Sequence, residues 1–577
     1  MITFRVDVAQ AAAHRFAVTL TVPQPPARCR LSLPTWIPGS YMVREFARHL
    51  GPLEARQGEA ACAVRQLDKC TWDVACEGST ALVLRYEVYA FDNSVRCAWL
   101  EDCRGFFNPT SLCLRVEGRE DEPHELRLGQ LPRGWDVAVA LPPGPRPRTW
   151  KAADYDELAD SPVELGPFWR GRFEACGVPH EFVVAGAWPG MDGERLLADT
   201  QRLCEAQIRF WHGKGRPPFA RYVFMLNAVE EGYGGLEHRA STALIANRRD
   251  LPRTGMPETS EGYQTLLGLI SHEYFHTWNV KRLKPREFLR YDYARENYTE
   301  LLWFFEGFTS YYDDLFLRRV GLMDTARYLK ALARTVNGVA QAPGQAWHSV
   351  AQASFDAWVK YYRPDENSPN ATVSYYTKGS LVALLLDLRL RAAGAAGLDA
   401  VMRRLWKGSL RHGVTEAAIL AAVSAEGGPA LAGALIQWVH GRDPLPLAPA
   451  LEAMGVSVTQ EATALAQRLG LRMQEGAEGL KVKVVLRGGL AEAAGLSAGD
   501  ELLAADGWRL RRLEDLRQWV LPTQACELTV VRGQRLRTLR LAAEQSAEAA
   551  AGQQVRLGLQ TPSDAEIAAR RLAWLGE

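Results

Sequence analysis

The chain has 577 residues, of which 47% are hydrophobic and 23% charged, and its formal net charge is +1. This composition is ordinary for a globular protein of several domains, and the near-neutral charge argues against a general basic surface for nucleic acid or for an anionic membrane. No apolar stretch approaches the roughly 20 residues that a membrane-spanning helix needs.

Residues 1–170 are predicted to form an N-terminal β domain. Runs that alternate in polarity, such as 16–22 and 81–88, are separated by turns rich in Pro and Gly, a pattern typical of half-buried strands. Residues 2–8 also have the pattern of a strand rather than of a signal peptide. We therefore expect a cytoplasmic protein, or a periplasmic one if a signal was removed. The ten cysteines form no C-x-x-C pair, and we expect them to be free and mostly buried.

The main motif of residues 171–330 is the run His272-Glu273-Tyr274-Phe275-His276. With strands that give way to helices around this motif, these residues are predicted to form an α+β catalytic domain like that of thermolysin. Histidines at positions i and i+4 of a helix lie on one face, so both imidazoles can bind one zinc ion. Glu273 would lie near the open coordination position, where it can deprotonate a water molecule. Taken alone, the motif could equally be two surface histidines.

Glu306 is the predicted third metal ligand. It lies among aromatic residues in the apolar helical segment 299–312, where a buried carboxylate needs a partner such as a metal ion. Asp313, seven residues further on, falls on the same helix face and is predicted to hold the second nitrogen of a ligand histidine. The short basic run 281–284 is interpreted as a solvated helix end or a wall of the cleft.

The rest of the chain is predicted to contain a helical domain, a PDZ domain and a tail. Residues 331–454 are helical by period and by Ala, Leu and Arg content. Residues 455–543 resemble a bacterial PDZ domain, whose fold binds extended peptides; the predicted carboxylate-binding loop is Leu469, Gly470 and Leu471, and 513–520 is the predicted groove helix. A packing module that binds nothing is the alternative. The tail, 544–577, is expected to be loosely ordered or helical.

Several motifs together resemble a known family. Residues 303–309, with the sequence WFFEGFT, resemble the segment that supplies the third zinc ligand in the aminopeptidase N group of gluzincins. The spacing between His276 and Glu306 is longer than in that group, 29 residues from 277 to 305. This longer spacing resembles that of the glycyl aminopeptidase family, bacterial relatives of aminopeptidase N that contain a PDZ domain. Four further stretches resemble the same family: 36–41, 234–238, 277–285 and 363–367. The resemblance extends to about residue 540.

The resemblance implies roles for two further motifs. Glu237 would bind the α-ammonium group of the substrate, and Gly234 and Gly235 would let the backbone pair with the peptide. His238 departs from the family of aminopeptidase N, in which an Asn follows this Glu. Tyr376, in the motif Tyr376-Thr377-Lys378-Gly379, would donate a hydrogen bond to the oxyanion of the tetrahedral intermediate.

The sequence therefore predicts a multidomain α+β zinc metallopeptidase, with one Zn²⁺ per chain held by His272, His276 and Glu306. Its expected substrates are peptides with a free N-terminus, and the resemblance implies a small first residue, Gly or Ala. A protein C-terminus is a possible partner of the PDZ domain. Two alternatives stay open: a PDZ-guided endopeptidase in which Glu237 is structural, and an inert adaptor whose PDZ domain carries the function.

Overall fold

The computed structural model describes residues 1–521, 523–543, 553–561 and 565–576. They belong to two compact units. The first consists of Met1–Tyr298, Tyr312–Met323 and Arg403–Thr415; the second consists of Thr299–Tyr311, Asp324–Met402 and the described part of Glu416–Glu577.

The N-terminal part of the first unit is a β domain. Its strands are β1 (Ile2–Gln10), β2 (Arg15–Val22), β3 (Arg28–Ser32), β4 (Glu54–Gln57), β5 (Ala60–Ala61), β6 (Val64–Gln66), β7 (Thr71–Ala75), β8 (Leu82–Tyr89), β9 (Ala98–Leu100), β10 (Gly105–Phe107), β11 (Arg115–Val116), β12 (His124–Leu128), β13 (Asp136–Val139), β14 (Thr149–Ala152) and β15 (Val163–Gly166). Its helices are α1 (Pro109–Leu112) and α2 (Tyr155–Ala159).

Three sheets build this β domain. The largest has the order β14-β12-β1-β2-β8-β4-β5, and two smaller ones have the orders β13-β15-β10-β9 and β11-β3-β7-β6. Along β2, buried residues alternate with more accessible ones, beginning with buried Phe16 and ending with buried Val22. This period of two packs one face of the sheet onto the core, as the sequence pattern predicts.

A mixed five-stranded sheet follows in the first unit. Its strands are β16 (Trp169–Ala175), β17 (Val178–Ala185), β18 (Tyr222–Val229), β19 (Tyr233–Glu237) and β20 (Ser241–Asn247), in the order β16-β17-β18-β20-β19. The helices of this region are α3 (Gly193–His212) and α4 (Glu261–Phe275). Helix α5 (Leu302–Arg319) follows in the chain; its residues up to Tyr311 belong to the second unit and the rest to the first. The central strand β18 pairs in parallel with β17 and β20 and is almost entirely buried. The edge strand β19 is antiparallel to β20.

Helices dominate the next part of the chain. They are α6 (Thr325–Ala340), α7 (Val350–Phe355), α8 (Ser368–Ala371), α9 (Thr377–Ala392), α10 (Leu398–Ser409), α11 (Glu416–Gly427), α12 (Pro429–His440) and α13 (Leu447–Glu452). Helix α9 is buried on nearly every side, which explains why its sequence shows no single polar face.

The C-terminal part contains a small sheet with its own core. Its elements are β21 (Val456–Ala462), α14 (Leu465–Arg468), β22 (Leu471–Gly476), β23 (Gly479–Val485), α15 (Leu490–Ala493), β24 (Glu501–Ala505), β25 (Trp508–Arg509), α16 (Leu513–Trp519), β26 (Cys526–Arg532) and β27 (Arg535–Leu541). The strand order is β22-β23-β24-β26-β27, with β25 paired to β24. The core includes Val482, Leu502 and Leu528.

Two elements follow in the described part of the tail, β28 (Gln553–Leu559) and α17 (Ala565–Leu575). Strand β28 pairs antiparallel with β21, and these two strands form a separate two-stranded sheet. In α17, Trp574 is fully buried and donates a hydrogen bond to the Tyr311 hydroxyl at 3.1 Å. The sequence analysis expected a loose or helical end here; the strand β28 was not foreseen.

The predicted mixed α+β fold class is confirmed, with an N-terminal β domain, a mixed sheet with helices, a helical region and a small C-terminal β module. All ten cysteines lie in the described residues and none of them forms a disulfide. Among the described residues, no helix has both the length and the apolar character required to cross a membrane.

Candidate metal centre

Two imidazoles converge at the C-terminal end of α4. The helix begins after Ser260, whose hydroxyl accepts a hydrogen bond from the Tyr263 N–H, and ends at Phe275. His276 is the C-cap residue and donates its N–H to the carbonyl of His272 at 3.2 Å, so the two histidines are still one helical turn apart. Their Nε2 atoms lie 3.0 Å from each other.

The other nitrogen of each ring faces an oxygen. Nδ1 of His272 lies 2.9 Å from Oδ2 of Asp313, and Nδ1 of His276 lies 2.8 Å from the carbonyl of Asn279. Each Nδ1 is then the donor, which leaves the lone pair of a neutral ring on Nε2. Two lone pairs that face each other at this distance repel unless a cation lies between them, so this donor set fits a metal ion.

Glu306 completes the set of candidate ligands. It lies in the second turn of α5 and is 2% exposed, and its carboxylate and the ligand nitrogens of His272 and His276 all lie within 4.8 Å of one another. Two imidazoles and one carboxylate are a donor set found in catalytic zinc sites. Asp313 follows two turns later on the same helix. Burial raises the pKa of its carboxyl, although the contact with His272 opposes this.

Asp314 is a neighbour that the sequence analysis missed. Burial, and then the adjacent carboxylate of Asp313, raise the pKa of Asp314 above the usual range of a carboxyl group. The sequence alone does not predict this raised pKa, because two successive positions on a helix point in different directions and adjacent acidic residues are not expected to interact.

Close contact between α5 and α9 brings the tyrosine motif to Glu306. A β-carbon built on Gly307 would lie 2.6 Å from Cα of Gly379 and 2.9 Å from the carbonyl oxygen of Tyr375. Both helices therefore need a glycine at this crossing. The glycines of the W-x-x-E-G and Y-x-K-G motifs thus have a packing role that the sequence analysis did not identify.

Tyr376 lies at the N-cap of α9. Burial and then the carboxylate of Glu306 raise its pKa well above the usual range of a phenol, so the hydroxyl stays protonated and can act as a donor. That hydroxyl lies 3.4 Å from the Tyr362 hydroxyl. The adjacent Tyr375 is 1% exposed, and Tyr376 is the more accessible of the two.

Glu273 packs directly against strand β19. A β-carbon built on Gly235 would lie 2.0 Å from Oε1 of Glu273, so only glycine fits at this position. The carbonyl of Gly235 accepts a hydrogen bond from Arg96 at 3.2 Å. Because β19 is the last strand of its sheet, its outer edge pairs with no other strand among the described residues. An extended peptide can add to such an edge.

Glu237 ends this edge strand and is 4% exposed. Its Oε1 is buried and has no hydrogen-bond partner among the described residues. Gly39, with φ of +95°, lies against this carboxylate, since a β-carbon at Gly39 would be 2.5 Å from Oε1. A buried carboxylate oxygen without a donor is expensive, and an ammonium group is a suitable partner for it.

A buried cluster of charges lies beyond Glu237. His238 is fully buried and its Nδ1 lies 3.1 Å from Oδ1 of Asp160, which also pairs with Lys281 at 2.5 Å. This role accounts for a histidine at position 238. The basic run is therefore not a solvated helix end, because Lys281 and Lys284 are 3% and 8% exposed. Burial, followed by Arg239 and Lys281, lowers the pKa of Lys284 to about 7.

The predicted carboxylate-binding loop connects α14 to β22. Leu469 and Leu471 are buried, Gly470 has φ of +78°, and its carbonyl accepts a hydrogen bond from the Leu486 N–H at 2.7 Å. Strand β22 is an edge strand, and Glu475 near its end accepts a hydrogen bond from the N–H of Leu513, the first residue of α16. This arrangement leaves a strand edge beside a helix, as in peptide-binding PDZ grooves.

Three family models match this chain. The model described as M61 glycyl aminopeptidase matches residues 265–382, the one described as Peptidase M61 N-terminal domain matches 3–167, and the PDZ domain model matches 457–532.

Solved structures give a second comparison. A structure described as an aminopeptidase N family protein from Idiomarina loihiensis is 36% identical, covers 100% of both chains and has a TM-score of 0.93. The M1 zinc metallopeptidase from Deinococcus radiodurans is 17% identical over 77% of this chain and 94% of its own, with a TM-score of 0.49. No curated protein matches the chain at a significant level.

Proposed function

The chain belongs to the M61 glycyl aminopeptidase family of metallopeptidases, and we propose that it uses one zinc ion to remove small N-terminal residues, glycine or alanine, from peptides. His272, His276 and Glu306 would hold the ion. The preference for a small first residue follows the description of the family. When bound, zinc polarises a scissile carbonyl and makes water more acidic.

The observation that carries the proposal is the environment of Glu237. Its buried Oε1 has no partner among the described residues and lies at the end of the edge strand β19. A peptide that pairs with β19 can place its α-ammonium group against this carboxylate. Glu237 then fixes the N-terminus, so that cleavage takes place after the first residue.

Glu273 and Tyr376 would perform the proton transfer and stabilise the oxyanion. Glu273 is 5% exposed and lies against Gly235 of the same strand, next to the backbone of a paired peptide. It accepts the proton of the attacking water and passes it to the leaving amine. The protonated phenol of Tyr376 donates a hydrogen bond to the oxyanion of the tetrahedral intermediate.

The test is hydrolysis of a matched peptide pair, Gly-Ala-Leu-Phe-Ala with a free or an acetylated N-terminus, followed by mass spectrometry. The zinc-loaded protein should release residues stepwise from the free peptide and leave the acetylated one intact. Glu273→Gln should bind zinc normally and lose activity by about 10³-fold or more, whereas Glu258→Gln, at an exposed glutamate, should match the unsubstituted protein.

The same experiment separates the alternatives. Internal cleavage of both peptides would support a PDZ-guided endopeptidase and contradict the role of Glu237. A protein that binds zinc but cuts neither this pair nor alanine p-nitroanilide would contradict the proposed activity and favour the adaptor.

A further inference from the structure

Residues 361–376, called here the tyrosine segment, have Tyr361 and Tyr362 at one end and Tyr376 at the other. The Tyr361 ring stacks on that of Tyr376, with centroids 5.2 Å apart and planes at 26°. The hydroxyls of Tyr362 and Tyr376 lie 3.4 Å apart. A phenol that donates to a substrate can still accept a hydrogen bond, and such a chain of donors strengthens the terminal one. The position of Tyr376 therefore depends on the fold of this segment.

Asn370, in the middle of the tyrosine segment, is bound by the PDZ module on both sides of its amide group. Its Nδ2 donates to the carbonyl of Val485 at 2.9 Å, and its Oδ1 accepts from the N–H of Arg487 at 2.9 Å. Asn370 is 7% exposed. Both partners are backbone groups. The side-chain amide therefore pairs with one carbonyl and one N–H of the PDZ module, as a neighbouring backbone would in a sheet.

The two hydrogen bonds of Asn370 lie next to the predicted carboxylate-binding loop. Leu486, between the two residues that bind Asn370, donates its N–H to the carbonyl of Gly470 at 2.7 Å. The Arg487 guanidinium also lies over the Trp347 ring, 5.1 Å from its centroid. The PDZ module is thus joined to the region of the tyrosine segment by two hydrogen bonds and one cation–π contact.

The other side of the segment is fixed as well. Thr372 accepts or donates a hydrogen bond through Oγ1 with Nδ1 of His348 at 2.8 Å. A β-carbon built on Gly344 would lie 2.2 Å from the Thr372 carbonyl oxygen, so the backbones touch there. With residues 344–348 on one side and the PDZ backbone on the other, the tyrosine segment has little freedom to move.

We propose that the PDZ module is part of the catalytic apparatus: through Asn370 it positions the segment that presents Tyr376, with Tyr362 as its hydrogen-bonded partner. This inference rests on the proposed role of Tyr376 as the oxyanion donor. Asn370 is a positioning residue and touches no substrate. An oxyanion donor acts only within a narrow range of distances, and misplacement by about 1 Å can cost on the order of 100-fold in rate.

The first test compares Asn370→Ala with Thr538→Ala in the zinc-loaded full chain, with alanine p-nitroanilide as substrate. Thr538 is exposed on β27 of the same module, at the other end of the sheet from β22. Asn370→Ala should lower kcat by about tenfold or more and leave KM within twofold, while Thr538→Ala should leave both unchanged. Asn370→Asp keeps an acceptor for the Arg487 N–H but loses the donor to Val485, and should also lower kcat. Wild-type kcat in either Asn370 variant would overturn the proposal.

A double-substitution cycle with Tyr376→Phe separates positioning from general loss of structure. If Asn370 acts through Tyr376, Asn370→Ala should have little further effect on kcat in the Tyr376→Phe background. Full additivity of the two losses would overturn the proposal. The affinity for a phosphinic dipeptide, which resembles the tetrahedral state, should fall in parallel with kcat/KM for Asn370→Ala. An unchanged affinity would contradict a role in positioning the donor.

The cycle also distinguishes this inference from the proposed function. If Tyr376→Phe alone retains wild-type kcat, Tyr376 is not the oxyanion donor, and this inference fails together with the proposed role of Tyr376, while the aminopeptidase activity itself stands. If Tyr376→Phe is impaired while the Asn370 variants are not, the proposed function stands and only the role of the PDZ module is rejected.

Discussion

Gly307 of α5 lies so close to Gly379 of α9 that a β-carbon on Gly307 would be 2.6 Å from the Gly379 Cα atom. This contact sets the distance between α5, the helix of Glu306, and α9, the helix whose N-cap residue is Tyr376. Because it involves the backbones of both helices, no side-chain movement can make room for a methyl group.

We therefore expect Gly307→Ala to destabilise the protein by about 1–3 kcal/mol and to weaken zinc binding, since α5 must move away from α9. The free energy of unfolding and the zinc content after dialysis would measure this. Gly433→Ala is the matched control, because a β-carbon on this helical glycine of α12 meets nothing within 4 Å. It should be neutral or stabilise by up to about 1 kcal/mol. Equal stability of the two variants would contradict the close contact.

Asp313 should control the affinity for the metal without being a ligand. Its Oδ2 lies 2.9 Å from Nδ1 of His272 and orients the ring so that Nε2 faces the centre. Asp313→Asn should weaken zinc binding by about 10- to 100-fold, measured by competition with a chromogenic chelator. At saturating zinc, much of the activity should return. Asp121→Asn, at an exposed aspartate, is the control, and an identical zinc affinity of the two variants would exclude this role.

Glu237→Gln should remove the attraction for a free N-terminus. Loss of the charge partner of an α-ammonium group costs about 3 kcal/mol, or roughly 100-fold in kcat/KM for a peptide with a free amine. The hydrolysis of free and acetylated peptides should then differ much less than in the unsubstituted protein. Glu231→Gln, at an exposed residue just before β19, should keep the discrimination. If Glu237→Gln also keeps it, Glu237 is structural.

The sequence was sufficient to predict what local spacing and burial determine. The pair His272 and His276 follows from the helical period, and a carboxylate among aromatic residues pointed to Glu306. The fold class followed from the change from alternating to helical patterns along the chain. These features depend on residues that are near each other in the sequence or on the type of environment a residue needs.

Contacts between distant segments were not predictable. Gly39 touches Glu237 across about 200 residues, and Asn370 binds the backbone around Leu486 more than 100 residues away. Backbone hydrogen bonds and close approaches of this kind leave no periodic pattern. The burial of Lys284 was missed for the same reason, since a short basic run has the composition of a solvated surface, and only the tertiary fold buries it.

Lys284 should make stability depend on pH in a specific way. Burial, with Arg239 and Lys281 nearby, lowers its pKa from the ordinary 10.5 to about 7. Between about pH 7 and pH 10 the unfolded chain therefore binds more protons at this residue than the folded protein, and stability rises with pH over this range. The cost of burying the charge is fully present below pH 7.

Lys284→Met removes that cost while keeping a long apolar side chain. It should raise the melting temperature most at pH 6, and the gain over the unsubstituted protein should shrink steadily towards pH 9.5. Taking the difference between the two proteins cancels the titration of all groups that they share. Lys407→Met, at an exposed lysine of α10, should show no such trend. A gain that is equal at pH 6 and pH 9.5 would mean that Lys284 does not titrate in this range and that burial acts through packing alone.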